Sequence, residues 1–522
     1  MKISFGFEVE RLPLGDASRP RRSVPVTDVF LILLGSAVLR VIFFCGYGIG
    51  DDAAYASEVN IILTEGYHDI GPNAIFLLRP LALTAVAASV WLFGWSETAF
   101  VLPILIASLV GIASTYVLGY QLYGRRAALL SASVLSLFPL DLVNSTTLTN
   151  DILGSGLVGL GAATILHALR GVRANPVPGA IVGGFLVGLS TAVKLNFLII
   201  AIPLTASLAV AVARGAITRR AAALVMTGWV GAQTALGLFC WVKASDPFAF
   251  ITMEMDFNRG MMERHYRPEL LPETLLFYPR MMFRFGEHGY GYDIFPLGWF
   301  FLFAFGALSL TLALRFKGLR LPAAWFLFLV LAMQFWPLQS SPYVPIHRLP
   351  RFLHIAAIPG ALLIGGTFGR LLQRARHHRR MVFAALAAYA VASIVHAQRA
   401  SARHNDCMED PRLLADFVDW YDGPVFTDPE LHYYLEFSKG FSNTARFRMP
   451  LDPVDQISDG SLVIVGGSRK PEVGPAYSLP ATTIPRDWIR VFQLKTPIGP
   501  CRIEPAIGYI ARKPAVTDPD AG

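Results

Sequence analysis

The stretch VFLILLGSAVLRVIFFCGYGIGDDAAYA, residues 29–56, joins a long apolar run to a pair of carboxylates. The apolar part, Val29–Tyr47, is long enough to cross a bilayer, which takes roughly 17 to 25 residues. It follows a polar tail and lacks the small-residue cleavage site of a secretory signal, so we interpret it as a retained anchor. Asp51 and Asp52 then stand where the chain leaves the membrane.

The composition identifies lipid as the main solvent of the chain. Of its 522 residues, 54% are hydrophobic and 16% are charged, whereas soluble domains carry roughly 25% charged residues. The formal net charge is +8, and the basic residues form short clusters between apolar runs. That distribution serves orientation in a bilayer, so no nucleic-acid partner is expected.

Ten further apolar runs predict a mainly α membrane protein with about eleven transmembrane helices. The runs are Phe100–Tyr123, Ala127–Val143, Ile152–Leu169, Pro178–Val193, Phe197–Ala213, Ala221–Val242, Phe295–Leu314, Pro322–Phe335, Phe352–Leu372 and Met381–Ile394.

One more apolar run, Leu81–Phe93, is only about thirteen residues long, a length typical of a helix lying along the membrane interface. If it does not cross, six basic clusters share one side, which the positive-inside rule identifies as the cytoplasm. The clusters are Arg19/Arg21/Arg22, Arg125/Arg126, Arg170/Arg173, Arg214/Arg219/Arg220, Arg315/Lys317/Arg320 and Arg370/Arg374/Arg376/Arg379/Arg380.

This topology divides the chain into three parts in a bacterial inner membrane. Residues 1–27 are a cytoplasmic tail, 28–397 the polytopic domain with a first periplasmic loop at 51–99, and 398–522 a small periplasmic α/β domain with a flexible end. Helices are predicted in that domain at Leu413–Trp420 and Glu430–Phe437, and strands at Val425–Thr427, Leu462–Val465, Trp488–Lys495 and Ile507–Arg512. Cys407 and Cys501 could form a disulfide in an oxidising compartment.

Two acidic motifs lie on the outer side of the membrane. Asp51 and Asp52 follow the first span, and Asp151, in Thr149-Asn150-Asp151, opens a later one. Such carboxylates can act as a base or bind a cation. Taken one at a time, each is better explained as an ordinary helix start, where Asp is favoured; together on one face of the membrane they make a carboxylate cluster plausible.

Several basic residues oppose the positive-inside bias, because they fall on the outer side. They are Arg79, Lys194, Arg259, Arg264, Arg280, Arg284, Arg348 and Arg351. An anionic ligand such as a lipid phosphate would explain part of the set, since the guanidinium fork matches phosphate oxygens. The others are interpreted as ordinary loop charges.

Three further features have structural interpretations. Arg40 lies in the middle of the first span and is expected to pair inside the helix bundle. The loop from Lys243 to Asp293 is rich in Met, Phe, Tyr, Glu and His and suits an interfacial cover, with no metal-ligand spacing. The glycines at 159, 161, 183 and 184 lie within apolar runs and are interpreted as helix-packing positions.

The ordered motifs resemble the GT-C glycosyltransferases, and are most similar to the protein O-mannosyltransferase and lipid A aminoarabinose transferase group (glycosyltransferase family 39-like). Gly50–Ala56, GDDAAYA, resembles the D-E-x-x-Y-A element after the first span, and Trp91–Glu97, WLFGWSE, resembles that group's L-F-G-x-S-E passage. Similar matches are Arg79-Pro80, Tyr123–Leu130 (YGRRAALL), Leu148–Asp151 (LTND) and Arg351–Leu353 with Pro359. The likeness covers roughly the first 200 residues in motifs and the remainder by architecture.

The resemblance implies transfer of a sugar from a polyprenyl-phosphate carrier to an acceptor hydroxyl on the outer face. Asp51 matches the catalytic base of a single inverting displacement, and Asp52, Tyr55 and Asp151 are expected to position the acceptor. Arg79, Lys194 and Arg351 are the candidates for the leaving phosphate. No cofactor is certain; a divalent metal held by Asp51, Asp52 and Asp151 stays an alternative. The chain departs from the family in having Asp-Asp for Asp-Glu and Arg-Pro-Leu for Lys-Pro-Pro.

The residues alone leave two other functional classes as alternatives to a glycosyltransferase. A membrane transporter or lipid flippase would line a pathway with these charges, and it predicts repeats and charges deep in several spans. An assembly protein would use the C-terminal domain to bind a partner. An assembly protein would not need the acids and arginines of four separate loops to converge, so the distances among them discriminate between the classes.

Overall fold

The computed structural model describes residues 24–48, 51–71, 74–170, 177–265, 276–283, 289–290, 293–294, 297–340, 343–345, 349–374, 376–427, 429–442, 447–448, 457–458, 460–465, 488–493 and 507–511. The α-helices among them are α1 Val26–Ile42, α2 Asp51–Glu65, α3 Pro80–Phe93, α4 Glu97–Tyr123, α5 Arg125–Ser136, α6 Pro139–Asn144, α7 Asn150–Arg170, α8 Val177–Leu189, α9 Ala201–Ala213, α10 Arg219–Ala244, α11 Ala249–His265, α12 Phe277–Phe283, α13 Gly298–Ala313, α14 Arg320–Phe335, α15 Ala357–Arg374, α16 Arg376–Asp419 and α17 Pro429–Ser438. Short 3₁₀-helices occur at Ile75–Leu78, Ser190–Ala192, Leu195–Ile200, Lys317–Leu319 and Pro350–Ala356.

Seven helices of the described residues are long and apolar enough to cross a membrane. They are Glu97–Tyr123, Asn150–Arg170, Leu195–Ala213, Arg219–Ala244, Lys317–Phe335, Pro350–Gln373 and Arg379–Asp419. The other four predicted spans coincide with shorter helical segments: α1, α5 with α6, α8 and α13. The count of eleven spans therefore stays a prediction, while a multi-pass helical membrane protein is confirmed.

The first helix shows why the protein belongs in lipid. α1 buries Asp28, Ser36 and Arg40 and turns Phe30 and Leu31, about 60% exposed, outward. A helix in water shows the opposite pattern. In a bilayer, a helix turns its apolar side chains toward the lipid. Its polar side chains face the bundle, because only there can they find hydrogen-bond partners.

The predicted helix-packing glycines are confirmed in position. A Cβ on Gly184 would lie 1.9 Å from the Val225 carbonyl oxygen, and one on Gly228 would lie 2.0 Å from the Ile181 carbonyl oxygen. α8 and α10 thus pack backbone against backbone, at a distance that only glycine permits.

The segment predicted to lie at the interface forms α3, which begins at Pro80 and ends at Gly94. Proline suits the first helical position because its missing N–H has no partner there in any case. Gly94 has φ +76°, a conformation that favours glycine. Arg79 directly precedes this helix and is therefore held at a fixed point.

The C-terminal part of the chain forms an α/β unit. Its strands are β5 Val425–Phe426, β6 Phe447–Arg448, β7 Leu462–Val465, β8 Ile489–Gln493 and β9 Ile507–Ile510, in the order β6-β5-β7-β9-β8. β5 runs parallel to β6 and β7, whereas β9 is antiparallel to β7 and β8. The predicted strands and the helix α17 are confirmed, and β6 is an addition. Two hairpins, β1–β2 (Gly289–Tyr290 with Asp293–Ile294) and β3–β4 (Pro337–Ser340 with Tyr343–Pro345), lie elsewhere in the chain.

A continuous helix and a shared carboxylate help to attach this unit to the membrane domain. α16 runs unbroken through Gln398, where the outer domain was predicted to begin, and takes in the helix predicted at Leu413–Trp420. Arg412 on α16 donates to both carboxylate oxygens of Glu97 on α4, at 2.8 and 3.1 Å. Tyr434 on α17 donates to the same carboxylate at 3.1 Å, which fixes the α/β unit beside α2 and its acids.

Candidate active site

The acid pair opens α2, and its two members point to different partners. The Asp52 carboxylate accepts a hydrogen bond from the Gly48 N–H at 2.8 Å and is buried. This is the local helix-start role that acids favour. Asp51 instead receives the Arg351 guanidinium, with Nη2 2.5 Å from Oδ2, and its side chain remains 43% exposed. Asp51 thus meets the outer arginine Arg351.

Arg351 brings two of the predicted carboxylates together. It lies in the 3₁₀-helix Pro350–Ala356, far along the chain from both. Its Nη2 meets Asp51, and its Nε lies 3.9 Å from Oδ2 of Asp151. Residues about 200 and 300 positions apart therefore share one guanidinium.

Lys194 completes this arrangement. It lies between two short 3₁₀-helices, and its Nζ donates to both oxygens of Asp151, at 2.9 and 3.0 Å. The same Nζ lies 3.9 Å from the centre of the Phe352 ring, a cation–π contact. Lys194 and Asp151 are both almost fully buried. We refer to Asp51, Arg351, Asp151 and Lys194 as the charged cluster.

A second set of contacts lies beside the charged cluster. The Tyr55 hydroxyl accepts hydrogen bonds from Arg79 Nη1 and from Asn150 Nδ2. Arg79 also places Nη2 3.4 Å from Oε1 of Glu254 on α11. Asn150 immediately precedes Asp151, so the two sets share the first turn of α7. We refer to Tyr55, Arg79, Asn150 and Glu254 as the Arg79 group.

The charges of both sets act on Asp51. Burial by itself would raise the pKa of this carboxyl, but Arg351 together with Arg79 and Lys194 outweighs it and holds the pKa below its ordinary value. Asp51 is therefore ionised at neutral pH and can accept a proton.

Two neighbours have shifted pKa values of their own. Burial lowers the pKa of Lys194 to about 8, and Asp151 offsets only part of this effect. Burial also raises the pKa of Tyr55 to about 12, with Arg79 opposing it. Tyr55 is thus a neutral hydroxyl, whereas Lys194 can lose its charge at mildly alkaline pH.

The three carboxylates suggested as metal ligands do not form a common site. Asp52 bonds to its own turn, Asp151 is held by Lys194, and Arg351 stands between Asp151 and Asp51. Across the part of the chain that the structure describes, no three His, Cys, Asp or Glu side chains are grouped to hold a metal ion. The fixed positive charges here belong to Arg and Lys.

Three contributors to the site were not among the predicted site residues. Asn150 stands next to Asp151, but an amide beside an acid suggests only a helix start. Glu254 was one of many acids in the Lys243–Asp293 loop. Phe352 fell within an apolar run, where nothing in the pattern distinguishes an aromatic ring that faces a cation.

The remaining outer basic residues do not join the site as far as it is described. Arg259 pairs with Asp256 on the exposed side of α11 at 3.2 Å, as an ordinary loop charge does. Arg280 lies in α12. Arg284, Arg348 and the side chain of Arg264 lie outside the described residues.

The predicted pairing of Arg40 inside the bundle is confirmed, and it extends further than expected. Arg40 donates to Asp141 on α6 and to Ser108 on α4. Asp141 also meets Nε2 of His354 at 2.7 Å, and His354 Nδ1 lies 2.9 Å from Ser155 Oγ. All these groups are buried. The network anchors the 3₁₀-helix that carries Arg351, one turn before His354.

The cysteines divide into two kinds. Cys45 and Cys240 are free and fully buried, as small core residues are. Cys407 is buried and takes part in a disulfide. Its predicted partner Cys501 lies outside the described residues.

Comparison with known proteins confirms the resemblance to GT-C glycosyltransferases. The dolichyl-phosphate-mannose-protein mannosyltransferase family matches residues 79–240, which include Arg79, Asp151 and Lys194. This is less than a third of the chain. No curated protein sequence matches.

Solved structures share the fold. ArnT from Cupriavidus metallidurans in the apo state superposes with a TM-score of 0.54 at 15% identity, covering 85% of this chain and 93% of ArnT. The same protein bound to undecaprenyl phosphate gives 0.53 at 14% identity, with 84% and 93% covered. The oligosaccharyltransferase of Archaeoglobus fulgidus, in a complex with Zn and sulfate, gives 0.51 at 14%, covering 78% of this chain and 61% of that one. The chain thus has a GT-C fold.

Proposed function

We propose that the protein transfers a sugar from a polyprenyl-phosphate carrier to an acceptor hydroxyl at the outer face of the membrane. The observation that carries this proposal is the charged cluster, in which α2, α7, the Lys194 turn and the 3₁₀-helix of Arg351 each contribute one side chain. A fold by itself does not define an activity. A partly exposed carboxylate among fixed cations is the arrangement that displacement of a phosphate requires.

Asp51 is the base in this proposal. The acceptor oxygen attacks the anomeric carbon as its proton passes to the Asp51 carboxylate, and the bond from that carbon to the phosphate oxygen breaks. The polyprenyl phosphate leaves with the bonding electron pair, so one displacement inverts the anomeric centre. Asp51 suits this role because it is ionised and its side chain is 43% exposed, whereas that of Asp151 is only 5% exposed.

Arg79, Lys194 and Arg351 stabilise the leaving phosphate. Negative charge develops on the phosphate as the glycosidic bond breaks, and cations already in place lower the barrier. The undecaprenyl phosphate bound by ArnT, a protein of the same fold, supports a carrier of this chemical class. Tyr55 and Asp151 hold Arg79 and Lys194 in position and, with Asp52 beneath Asp51, shape the acceptor side.

Charge asymmetry supports a periplasmic position for the site. On α7, for example, Asp151 lies in the first turn and the basic residue Arg170 at the opposite end. Nucleotide sugars are absent outside the cytoplasm, so a preloaded lipid carrier is the donor expected there. A groove among the helices would hold the lipid tail, in an inner membrane crossed by eleven spans, with residues 398–522 outside.

A transporter is the alternative class, and one observation bears on it. Arg40, Asp141 and His354 are charged or titratable groups deep in the bundle, where transporters place their pathways. Their described polar side-chain contacts are made to one another, to Ser108 and Ser155, and to the Ser36 carbonyl, and each is at most 3% exposed at its side chain. Such a closed network favours a structural role for these three residues. The chemistry is therefore assigned to the charged cluster.

The test is sugar transfer in membranes loaded with a panel of radiolabelled polyprenyl-phosphate sugars. The native protein should move label to an acceptor, and Asp51→Asn should lower the rate by about 10² to 10⁴, the usual contribution of a general base. Glu65→Gln, an exposed carboxylate on the same helix α2, is the matched control and should retain transfer. Near-normal transfer by Asp51→Asn would remove Asp51 as the base.

A further inference from the structure

Each cation of the described site already has a carboxylate partner. Arg351 meets Asp51, Lys194 meets Asp151, and Arg79 meets Glu254. Three cations and three carboxylates have a formal charge of zero. A donor phosphate adds negative charge to this neutral and largely buried set. Because an unpaired buried charge is costly, the phosphate must take a cation away from one of the carboxylates.

The three pairs are not equally strong. Lys194 donates to both oxygens of Asp151 at 2.9 and 3.0 Å, and Arg351 donates to Asp51 within hydrogen-bond distance. Charge-assisted bonds are usually about 2.7–2.9 Å long. Glu254 touches Arg79 through one nitrogen only, at 3.4 Å. Arg79 is thus the cation that an incoming anion can take at the lowest cost.

The Nε–Nη2 edge of the Arg79 guanidinium has the geometry of a phosphate-binding site. Nη1 is committed to the Tyr55 hydroxyl. Nε is buried and has no hydrogen-bond partner among the described residues. Nε and Nη2 form one side of the guanidinium, whose parallel N–H bonds match two phosphate oxygens. Glu254 contacts this side at Nη2 alone and leaves half of the fork unused.

We propose that Glu254 is a donor-site residue: an internal counter-ion that holds Arg79 until the donor phosphate displaces it. This inference rests on the proposed function and adds a residue to it. The phosphate takes both Nε and Nη2, and the Glu254 carboxylate is released from Arg79. Glu254 thereby opposes donor binding and favours release of the spent carrier.

The test measures binding and needs no acceptor. Radiolabelled undecaprenyl phosphate is titrated onto the full-length protein in nanodiscs rich in phosphatidylglycerol, which supplies ordinary anionic headgroups throughout. Glu254→Gln should bind about tenfold more tightly than the native protein, a change that corresponds to one weak buried ion pair. Asp256→Asn, which removes an exposed carboxylate from the same helix, should leave the affinity unchanged.

A double-mutant cycle tests whether the tighter binding of undecaprenyl phosphate depends on Arg79. In an Arg79→Gln background, Glu254→Gln should have no further effect, because the cation that it masks is gone. Thermal unfolding of each variant shows that the fold persists. Native-like or weaker binding by folded Glu254→Gln, or a gain that survives without Arg79, would overturn the inference and leave the proposed function standing. No specific binding by any variant would remove the proposed donor site, and this inference with it.

Discussion

At the scale of single residues, the site depends on competition between burial and charge pairing. Asp51 stays ionised because Arg351 and its neighbours outweigh the effect of burial, whereas burial prevails at Lys194 in spite of Asp151. One acid is thereby kept available as a base, and one cation is left close to losing its proton.

The pH dependence of donor use should therefore follow the ionisation of the Lys194 ammonium. The ammonium is charged below its pKa of about 8 and neutral above it, so its help to the phosphate is lost as the pH rises. We expect kcat/KM for the donor to fall about tenfold per pH unit above this pKa, since that ratio reports the free enzyme. Lys194→Arg keeps the charge at all accessible pH values. It should lower the overall rate but shift the alkaline fall upward, and an unchanged fall near pH 8 in this variant would contradict the assignment.

Residue types and membrane side predicted part of this site. Asp51, Asp151, Lys194 and Arg351 stood out because charges at the outer ends of apolar runs are rare. Their convergence could not be predicted, since Asp51 and Arg351 are separated by 300 positions. Glu254 was hidden among similar acids, because only the fold decides which of them faces Arg79.

At the scale of elements, buried polar contacts and close glycine packing hold the helices together. The Arg40 network links α1, α4, α6 and α7 to the 3₁₀-helix of Arg351. The apolar pattern predicted where helices exist. It missed the break between α5 and α6, where Pro139 starts a new helix, because proline can also sit inside a span, as Pro103 does in α4.

Removing Arg40 should destabilise the bundle strongly. Arg40→Met leaves the buried Asp141 charge with only neutral partners and His354, and breaking a buried ion pair typically costs about 3–5 kcal/mol. Arg125→Met is the matched control, because Arg125 also pairs with an acid, Asp28, but its side chain is 64% exposed. Thermal unfolding in detergent should show a large fall for Arg40→Met and a small one for the control. Equal falls would show that the buried network contributes no more than a surface pair.

The α8–α10 contact offers a test within a single helix. Gly228→Ala places a methyl group 2.0 Å from the Ile181 carbonyl oxygen, whereas Gly231→Ala meets nothing closer than Phe185 Cδ2 at 3.9 Å. Overpacking typically costs about 1–3 kcal/mol, and a backbone clash leaves little room for relaxation. We expect a lower unfolding midpoint for Gly228→Ala only. If both variants unfold like the native protein, the two helices do not pack as described.

At the scale of the whole molecule, one long helix joins the membrane domain to the α/β unit. α16 has 44 residues, or about 66 Å at 1.5 Å per residue, roughly twice the hydrocarbon thickness of a bilayer. A helix of this length is longer than one crossing requires, and its C-terminal end leads into the C-terminal sheet. Four of the five described strands of that sheet were predictable from short apolar runs. β6 and the strand order were not, because non-local pairing leaves no mark in the local pattern.

The orientation can be tested with single introduced cysteines. Trp420 is 89% exposed in the part of the chain proposed to lie outside, and Arg214 is exposed in a cluster proposed to be cytoplasmic. In intact cells a membrane-impermeant maleimide should label Trp420→Cys and not Arg214→Cys. The native protein is the background control, since its free cysteines Cys45 and Cys240 are fully buried. The reverse labelling would invert the topology and place Asp51 in the cytoplasm.

The most direct test of the central claim is the balance of products from one labelled donor. Purified protein in liposomes is given the donor that transfers in the membrane assay, with its acceptor, and both products are counted. We predict one polyprenyl phosphate released for each sugar transferred, with both products lost together in Asp51→Asn and retained in Glu65→Gln. Donor or solute that crosses the bilayer with no sugar transferred, at the same rate in Asp51→Asn, would contradict a glycosyltransferase and identify a transporter.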